Sequence, residues 1–270
     1  MQLQVLQVRM IRRARASAAV IAAIAAVALG CAAIALGEQS QKGNLVVFLD
    51  GGLSPLALPR DRPAPVAVHL EGGLRTADRG PLPRVARMEL GLPSQGVLST
   101  RGLPSCRQRL LQDAKPQEAM VACRPALVGH GRLQAQISLP NQDPITVDAR
   151  VLAFNARVAG GRGVLLHAFS VDPPTAAVLP LQLRRQRGRL GLALVGDLSA
   201  ALGPWPRLRR FDLTLFRRYS YRGRPRSYLS ASCPIPEGNT AAFFSFARVA
   251  FTLADGREIG TTATRGCRAR

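Results

Sequence analysis

A chain of 270 residues with 47% hydrophobic content can build one large or two modest cored domains, which excludes wholesale disorder. Its formal charge of +21 points to polyanionic partners, yet all its basic residues except Lys42 and Lys115 are arginines, a skew that GC-rich coding produces without selection for a ligand. Together with the N-terminal signal, this disfavours nucleic acid as the partner.

Residues 1–16 carry Arg9, Arg12, Arg13 and Arg15 and no acid, and residues 17–37 are uncharged and rich in Ala, Val, Ile and Leu. A basic start before an apolar run is an export signal. Small residues around Ala35-Leu36-Gly37 suit a signal peptidase, so residues 1–37 are expected to leave and Glu38 to open the mature chain. The alternative is an uncleaved anchor making membrane contact through residues 17–37, a stretch long enough to span a bilayer. Lipid modification of Cys31 is a third option, with Leu29 one place late for a good match.

Residues 38–63 are expected as an N-terminal arm with one short strand at 45–49, a turn at Asp50-Gly51-Gly52 and an extended run set by Pro55, Pro59, Pro63 and Pro65. A first β-rich half, 64–174, starts at Val66-Ala67-Val68-His69-Leu70. Residues 80–92 then read Gly-Pro-Leu-Pro-Arg-Val-Ala-Arg-Met-Glu-Leu-Gly-Leu, and residues 203–215 read Gly-Pro-Trp-Pro-Arg-Leu-Arg-Arg-Phe-Asp-Leu-Thr-Leu. The ungapped match keeps Gly80/Gly203, Pro83/Pro206, Arg84/Arg207, Arg87/Arg210, Leu90/Leu213 and Leu92/Leu215 identical. In both, apolar and polar residues alternate with a period of two, the pattern of a strand with one buried face. The chain therefore reads as two related halves, an internal repeat.

One short helix is predicted between Cys106 and Cys123, where Pro116 suits a first turn and Gln117 to Ala122 are acceptable helix formers. A hairpin is expected from 133–139 and 145–154, then a turn at Gly160-Gly161-Arg162-Gly163 and a strand at 164–171. Asp172-Pro173-Pro174 is the expected boundary before the second β-rich half, 175–270. That half offers strands near 177–184, 189–196, 207–217, 225–231, 242–254 and 257–265, with Asp255-Gly256 as a hairpin turn. The expected fold is all-β: two related antiparallel β-sandwich-like or barrel-like halves.

Without Cys31, four cysteines remain, Cys106, Cys123, Cys233 and Cys267. An even number in an exported chain predicts disulfides, and of the three pairings the repeat favours Cys106–Cys123 with Cys233–Cys267. Zinc is the rival reading, but there is no Cys-x-x-Cys pair and no histidine near a cysteine at ligand spacing, so no metal or other cofactor is expected.

His69, His130 and His167 stand alone in sequence, and no nucleophile elbow, phosphate loop, zinc-protease or dinucleotide motif is present. Ser230-Ala231-Ser232-Cys233 names no base for a nucleophile. These absences argue against catalysis and leave no candidate catalytic residue. A secreted hydrolase with spatially assembled carboxylates is the alternative. The most unusual local composition is Arg217-Arg218-Tyr219-Ser220-Tyr221-Arg222-Gly223-Arg224-Pro225-Arg226. As a hairpin around Gly223 it is expected to put Tyr219 and Tyr221 on one face and Arg218 and Arg222 on the other. Arg217, Arg218, Arg222, Arg224 and Arg226 are then the candidate anion-binding residues, against the plain reading of a solvated edge. Charge is uneven too: residues 38–176 hold 16 basic and 11 acidic residues, whereas 177–270 hold 17 and 5.

Leu53-Ser54-Pro55, Ala57-Leu58-Pro59-Arg60, Ala126-Leu127-Val128-Gly129, Leu152-Ala153-Phe154-Asn155 and the closing Cys267-Arg268 resemble a family of exported, β-rich, four-cysteine proteins of high-GC bacteria. The similarity runs over nearly the whole mature chain. Its most specific part is Arg226-Ser227-Tyr228-Leu229-Ser230-Ala231-Ser232-Cys233-Pro234, and the chain departs in the arginine-rich segment after Leu179-Pro180-Leu181. That family has no assigned activity, so the resemblance implies export and paired cysteines only. The expectation is an exported cell-envelope or extracellular binding or structural module, its partners anionic envelope polymers or lipid headgroups.

Overall fold

The alternation in the two similar stretches does what a period of two dictates. In the computed structural model, which describes residues 38–270, Met88, Leu90 and Leu92 are buried while Arg87 is exposed, and Phe211, Leu213 and Leu215 are buried while Arg210 is exposed. The leader expected over residues 1–37 lies outside the described residues.

In chain order the first strands are β1 (Glu38–Lys42), β2 (Leu45–Ser54), β3 (Ala57–Leu58), β4 (Ala64–Pro65), β5 (Ala67–Thr76), β6 (Val85–Pro93) and β7 (Gly96–Leu98). Helix α1 (Pro116–Cys123) precedes β8 (Leu127–Ile137), β9 (Ile145–Val158), β10 (Gly161–Val171), β11 (Pro174–Arg185) and β12 (Leu190–Asp197). Helix α2 (Leu198–Leu202) leads to β13 (Pro206–Leu215), β14 (Arg218–Tyr221), β15 (Arg224–Ser227), β16 (Leu229–Ala231), β17 (Ala241–Leu253) and β18 (Glu258–Ala269). The fold is all-β, with the predicted helix in place between Cys106 and Cys123. Helix α2 was not foreseen; Asp197 caps it by accepting the Ala200 amide at 2.8 Å.

Thirteen strands make one sheet in the order β1-β2-β5-β13-β8-β9-β10-β11-β12-β6-β17-β18-β3, while β4-β16-β7 and β14-β15 make two small ones. Every neighbour in the large sheet is antiparallel except β18 with β3. The sheet curls until its two sides meet. Across the seam the Thr264 amide donates to Glu38 Oε1 at 2.6 Å, Arg265 Nε donates to the Gly51 carbonyl at 2.6 Å, and Arg265 pairs with Asp50. Side chains, rather than a backbone ladder, close this barrel-like shape.

Leu49, Leu70, Leu90, Leu181, Leu213 and Phe251 fill the interior, each with 3% exposure or less. The small sheet β4-β16-β7 stops one end, sharing an apolar void of about 40 Å³ with Leu53, Leu92, Leu192, Leu215 and Phe246. Outside the curl, the segment carrying α1 builds a second core, in which Leu111, Ala119 and the Cys106–Cys123 bridge pack on Leu152, Phe154, Leu165 and Val178.

Strands from the two expected halves are interleaved in the large sheet. β6, from 64–174, lies between β12 and β17, whereas β13, from 175–270, lies between β5 and β8. Leu90 faces Leu194 and Val249; its counterpart Leu213 faces Leu70 and Gly131. Each of the two similar strands thus sits among strands contributed by the opposite half. Asp172-Pro173 is the turn of a hairpin in which Val171 pairs with Pro174, so the sheet runs straight through the expected boundary. Residues 38–63 carry β1, β2 and β3, and β2 pairs along its whole length with β5.

The turn expected at Asp50-Gly51-Gly52 is instead the middle of β2. Gly51 takes φ +145°, and a Cβ there would lie 2.2 Å from the His69 carbonyl oxygen. Glycine is needed for a close strand approach, a role that looks the same in sequence as a turn.

Candidate functional site

The arginine-rich run forms the hairpin β14-β15, with Tyr221 opposite Arg224 and Tyr219 opposite Arg226. Arg222 (φ +52°) and Gly223 (φ +70°) make the two-residue turn with both residues in the left-handed region, the geometry whose twist suits a hairpin. Arg222 differs from expectation. Its guanidinium lies 5.3 Å from the centroid of the Tyr221 ring, a cation–π contact, instead of on the face away from the tyrosines. The tyrosines anchor the hairpin to a neighbouring loop. Tyr219 donates its hydroxyl to the Arg101 carbonyl at 2.9 Å, and Gly102 (φ +78°) leaves room for the Tyr221 ring, which a Cβ would meet at 2.2 Å.

Arg218, Arg222, Arg224 and Arg226 are exposed on this hairpin, and among the described residues no carboxylate lies within ion-pair distance of any of them. Arg217 stands apart. It is half-buried at the foot of the hairpin, its Nε has no hydrogen-bond partner, and its carbonyl accepts the Tyr228 amide at 2.8 Å. So four of the five candidate anion-binding side chains are exposed around one hairpin, Arg224 and Arg226 on the face of the tyrosines, Arg218 on the other and Arg222 at the tip, while Arg217 sits at its foot.

The cysteines pair as expected, with Cα–Cα distances of 5.4 Å for Cys106–Cys123 and 5.9 Å for Cys233–Cys267. The bridges serve different tasks: the first closes the outer segment over β9 and β10, and the second ties the loop after β16 to β18. Paired disulfides suit an oxidising compartment. No helix among the described residues is long and apolar enough to cross a membrane.

The histidines separate by face. His167 points outward from β10 beneath the α1 segment, fully buried, with Nε2 2.8 Å from the Ala114 carbonyl and Nδ1 without a partner. Nε2 therefore carries the proton, and burial pulls the imidazole pKa below its ordinary value, partly offset by the Ala114 carbonyl. His130 is exposed and stacks edge-on against Phe216 at 5.9 Å. His69 meets Thr214 Oγ1 at 3.2 Å and Asp212 at 3.7 Å.

His69, Glu71 and Asp212 place ligand-type atoms within 4.8 Å of one another on the outer face of β5 and β13, a cluster that sequence reasoning missed. The spacing His69-x-Glu71 shows that two of them share a strand face. Asp212 joins only through the pairing of β13 with β5, which the chain order conceals. Arg210 already holds Glu71 at 2.7 Å, so the cluster is an ion-paired network on an exposed sheet face. Among the similar stretches' other residues, Arg207 has its pKa lowered by burial and then by the charge of its counterpart Arg84.

The chain matches no protein-family model, no curated protein and no solved structure.

Proposed function

We propose that the protein is an exported, non-catalytic binding module of the cell envelope whose β14-β15 hairpin holds anionic envelope polymers or lipid headgroups. One observation carries this reading: four exposed arginines on a hairpin anchored by tyrosines, with no acid to neutralise them. Guanidinium forks of this kind match phosphate and carboxylate geometry. The basic leader over residues 1–16, the apolar run to Gly37 and two disulfides support export, as does the resemblance to exported four-cysteine proteins of high-GC bacteria. We also read β6 and β13 as copies of one ancestral unit. Support comes from their matching sequences and from each lying between two strands of the other half, β12 and β17 for β6, β5 and β8 for β13.

The test is salt-dependent retention of the full-length protein on an immobilised polyanion and on phosphatidylglycerol vesicles. Retention that falls with salt and is largely lost when Arg218, Arg222, Arg224 and Arg226 are all changed to Gln supports the reading; undiminished retention of that variant removes it. The second reading, a hydrolase with facing carboxylates, rests on Glu71 and Asp212 beside His69. It requires hydrolysis of a glycoside or ester panel that Glu71→Gln abolishes.

A further inference from the structure

A second surface, away from the hairpin, holds a less comfortable arrangement of charge. Antiparallel pairing of β8 with β9 sets Arg132 directly opposite Arg150, and both are exposed on the outer face. Like charges opposed across a strand pair destabilise a sheet. Among the described residues no carboxylate lies within ion-pair distance of either one, although β13 places Asp212 next to Arg132. Asp148 is also close along β9, but it accepts from Gln134 Nε2 at 3.1 Å rather than from an arginine. A third guanidinium approaches from β13, where Arg209, at a bulge, donates to Thr146 Oγ1 at 3.2 Å.

Of these side chains, Arg132, Arg150, Asp148 and Thr146 border a groove of about 980 Å³ lying across β8, β9 and β10, with Pro116 at the start of α1 as part of its wall. Its lining is mixed in a specific way. Leu152, Phe169 and Val171 give an apolar strip, while His130 and Thr146 present polar groups and Asp148 and Asp172 present carboxylates along it. A lone phosphate or headgroup would fill a small part of that volume. A nucleic-acid strand would need several stacking rings, and the lining offers Phe169 alone among the large aromatic side chains. A sugar chain satisfies each element: C–H faces of the rings lie on Phe169, hydroxyls meet Asp148 and Thr146, and acidic substituents enter between the guanidiniums.

We propose that this groove binds a carboxylated glycan, a uronate-containing chain, with one carboxylate held between Arg132 and Arg150. A carboxylate between them offsets the repulsion of the two opposed guanidiniums. This goes beyond the hairpin reading and does not depend on it, since the hairpin arginines take no part.

The experiment titrates the full-length protein with an alginate hexasaccharide, with neutral maltohexaose and with phosphatidylglycerol vesicles. The hexasaccharide should bind and maltohexaose should not. Arg132→Gln with Arg150→Gln should weaken the hexasaccharide at least about tenfold, the scale of one lost charge-assisted pair. Phe169→Ala should weaken it while leaving any binding of free glucuronate unchanged. Relief of the repulsion means that the double variant should melt no lower than the parent, which separates lost binding from lost fold. The quadruple hairpin variant should keep hexasaccharide affinity within about twofold, so the two sites fail separately. Unchanged hexasaccharide affinity in the double variant, equal binding of maltohexaose, or loss of vesicle binding alone would each overturn the proposal.

Discussion

Tyr228 shows at the level of one residue where this protein carries avoidable cost. Its side chain is fully buried and its hydroxyl has no hydrogen-bond partner, so burial raises the phenol pKa well above the ordinary value. Removing the orphaned oxygen with Tyr228→Phe should leave stability unchanged or raise it by about 1 kcal/mol in urea unfolding. His167 gives a pH signature. Its folded pKa lies below the free value of 6.5, so the neutral form contributes stability that is present above 6.5 and is lost as pH falls toward the folded pKa. Thermal melts between pH 7.5 and 4.5 should therefore steepen below 6.5 in the parent and flatten in His167→Gln. Arg222 separates stability from binding. Its turn position, at φ +52°, favours asparagine, so Arg222→Asn should stabilise the hairpin by about 0.5–1 kcal/mol while weakening polyanion retention. At this scale much was legible: cysteine pairing followed from one pair per half. The burial of His167 was not, because the α1 segment that covers it contacts β10 only in three dimensions.

At the level of elements, strands were readable wherever one face is buried, since the period of two then appears in the residues. Met88, Leu90 and Leu92 declare β6, as Phe211, Leu213 and Leu215 declare β13. The failures occur where a residue type has two uses. Asp50-Gly51-Gly52 carries a turn signature but continues β2, and Gly51→Ala, at φ +145° against the His69 carbonyl, should cost more than about 2 kcal/mol in urea unfolding. The candidate anion hairpin was legible as a hairpin around Gly223, whereas its register and the placement of Arg222 on Tyr221 were not. Cross-strand partners on the groove face, Arg132 with Arg150, lie 18 positions apart and have no local signature at all. The Cys233–Cys267 bridge closes a 34-residue separation, and its removal by paired alanines should cost about 3–4 kcal/mol. Intact mass with and without reductant verifies both bridges in the same sample.

For the whole molecule, sequence similarity pointed to two related halves but not to their exchange of strands. No pattern within β6 says that its neighbours, β12 and β17, begin about a hundred and more residues downstream. The placement makes a prediction for fragments. A chain ending at residue 174 retains β5, β8 and β9 but has lost β13 from between β5 and β8, and it has no partners for β6. It should stay unfolded by hydrogen exchange, and adding the 175–270 fragment should restore protection in both. For a polypeptide delivered N-terminus first, the same arrangement sets a schedule. The apolar side of β6 must wait, unmated, until the last third of the chain has been made. The large sheet is therefore completed only near the end, and β6 remains a sticky strand in need of shielding for most of the time the chain takes to emerge.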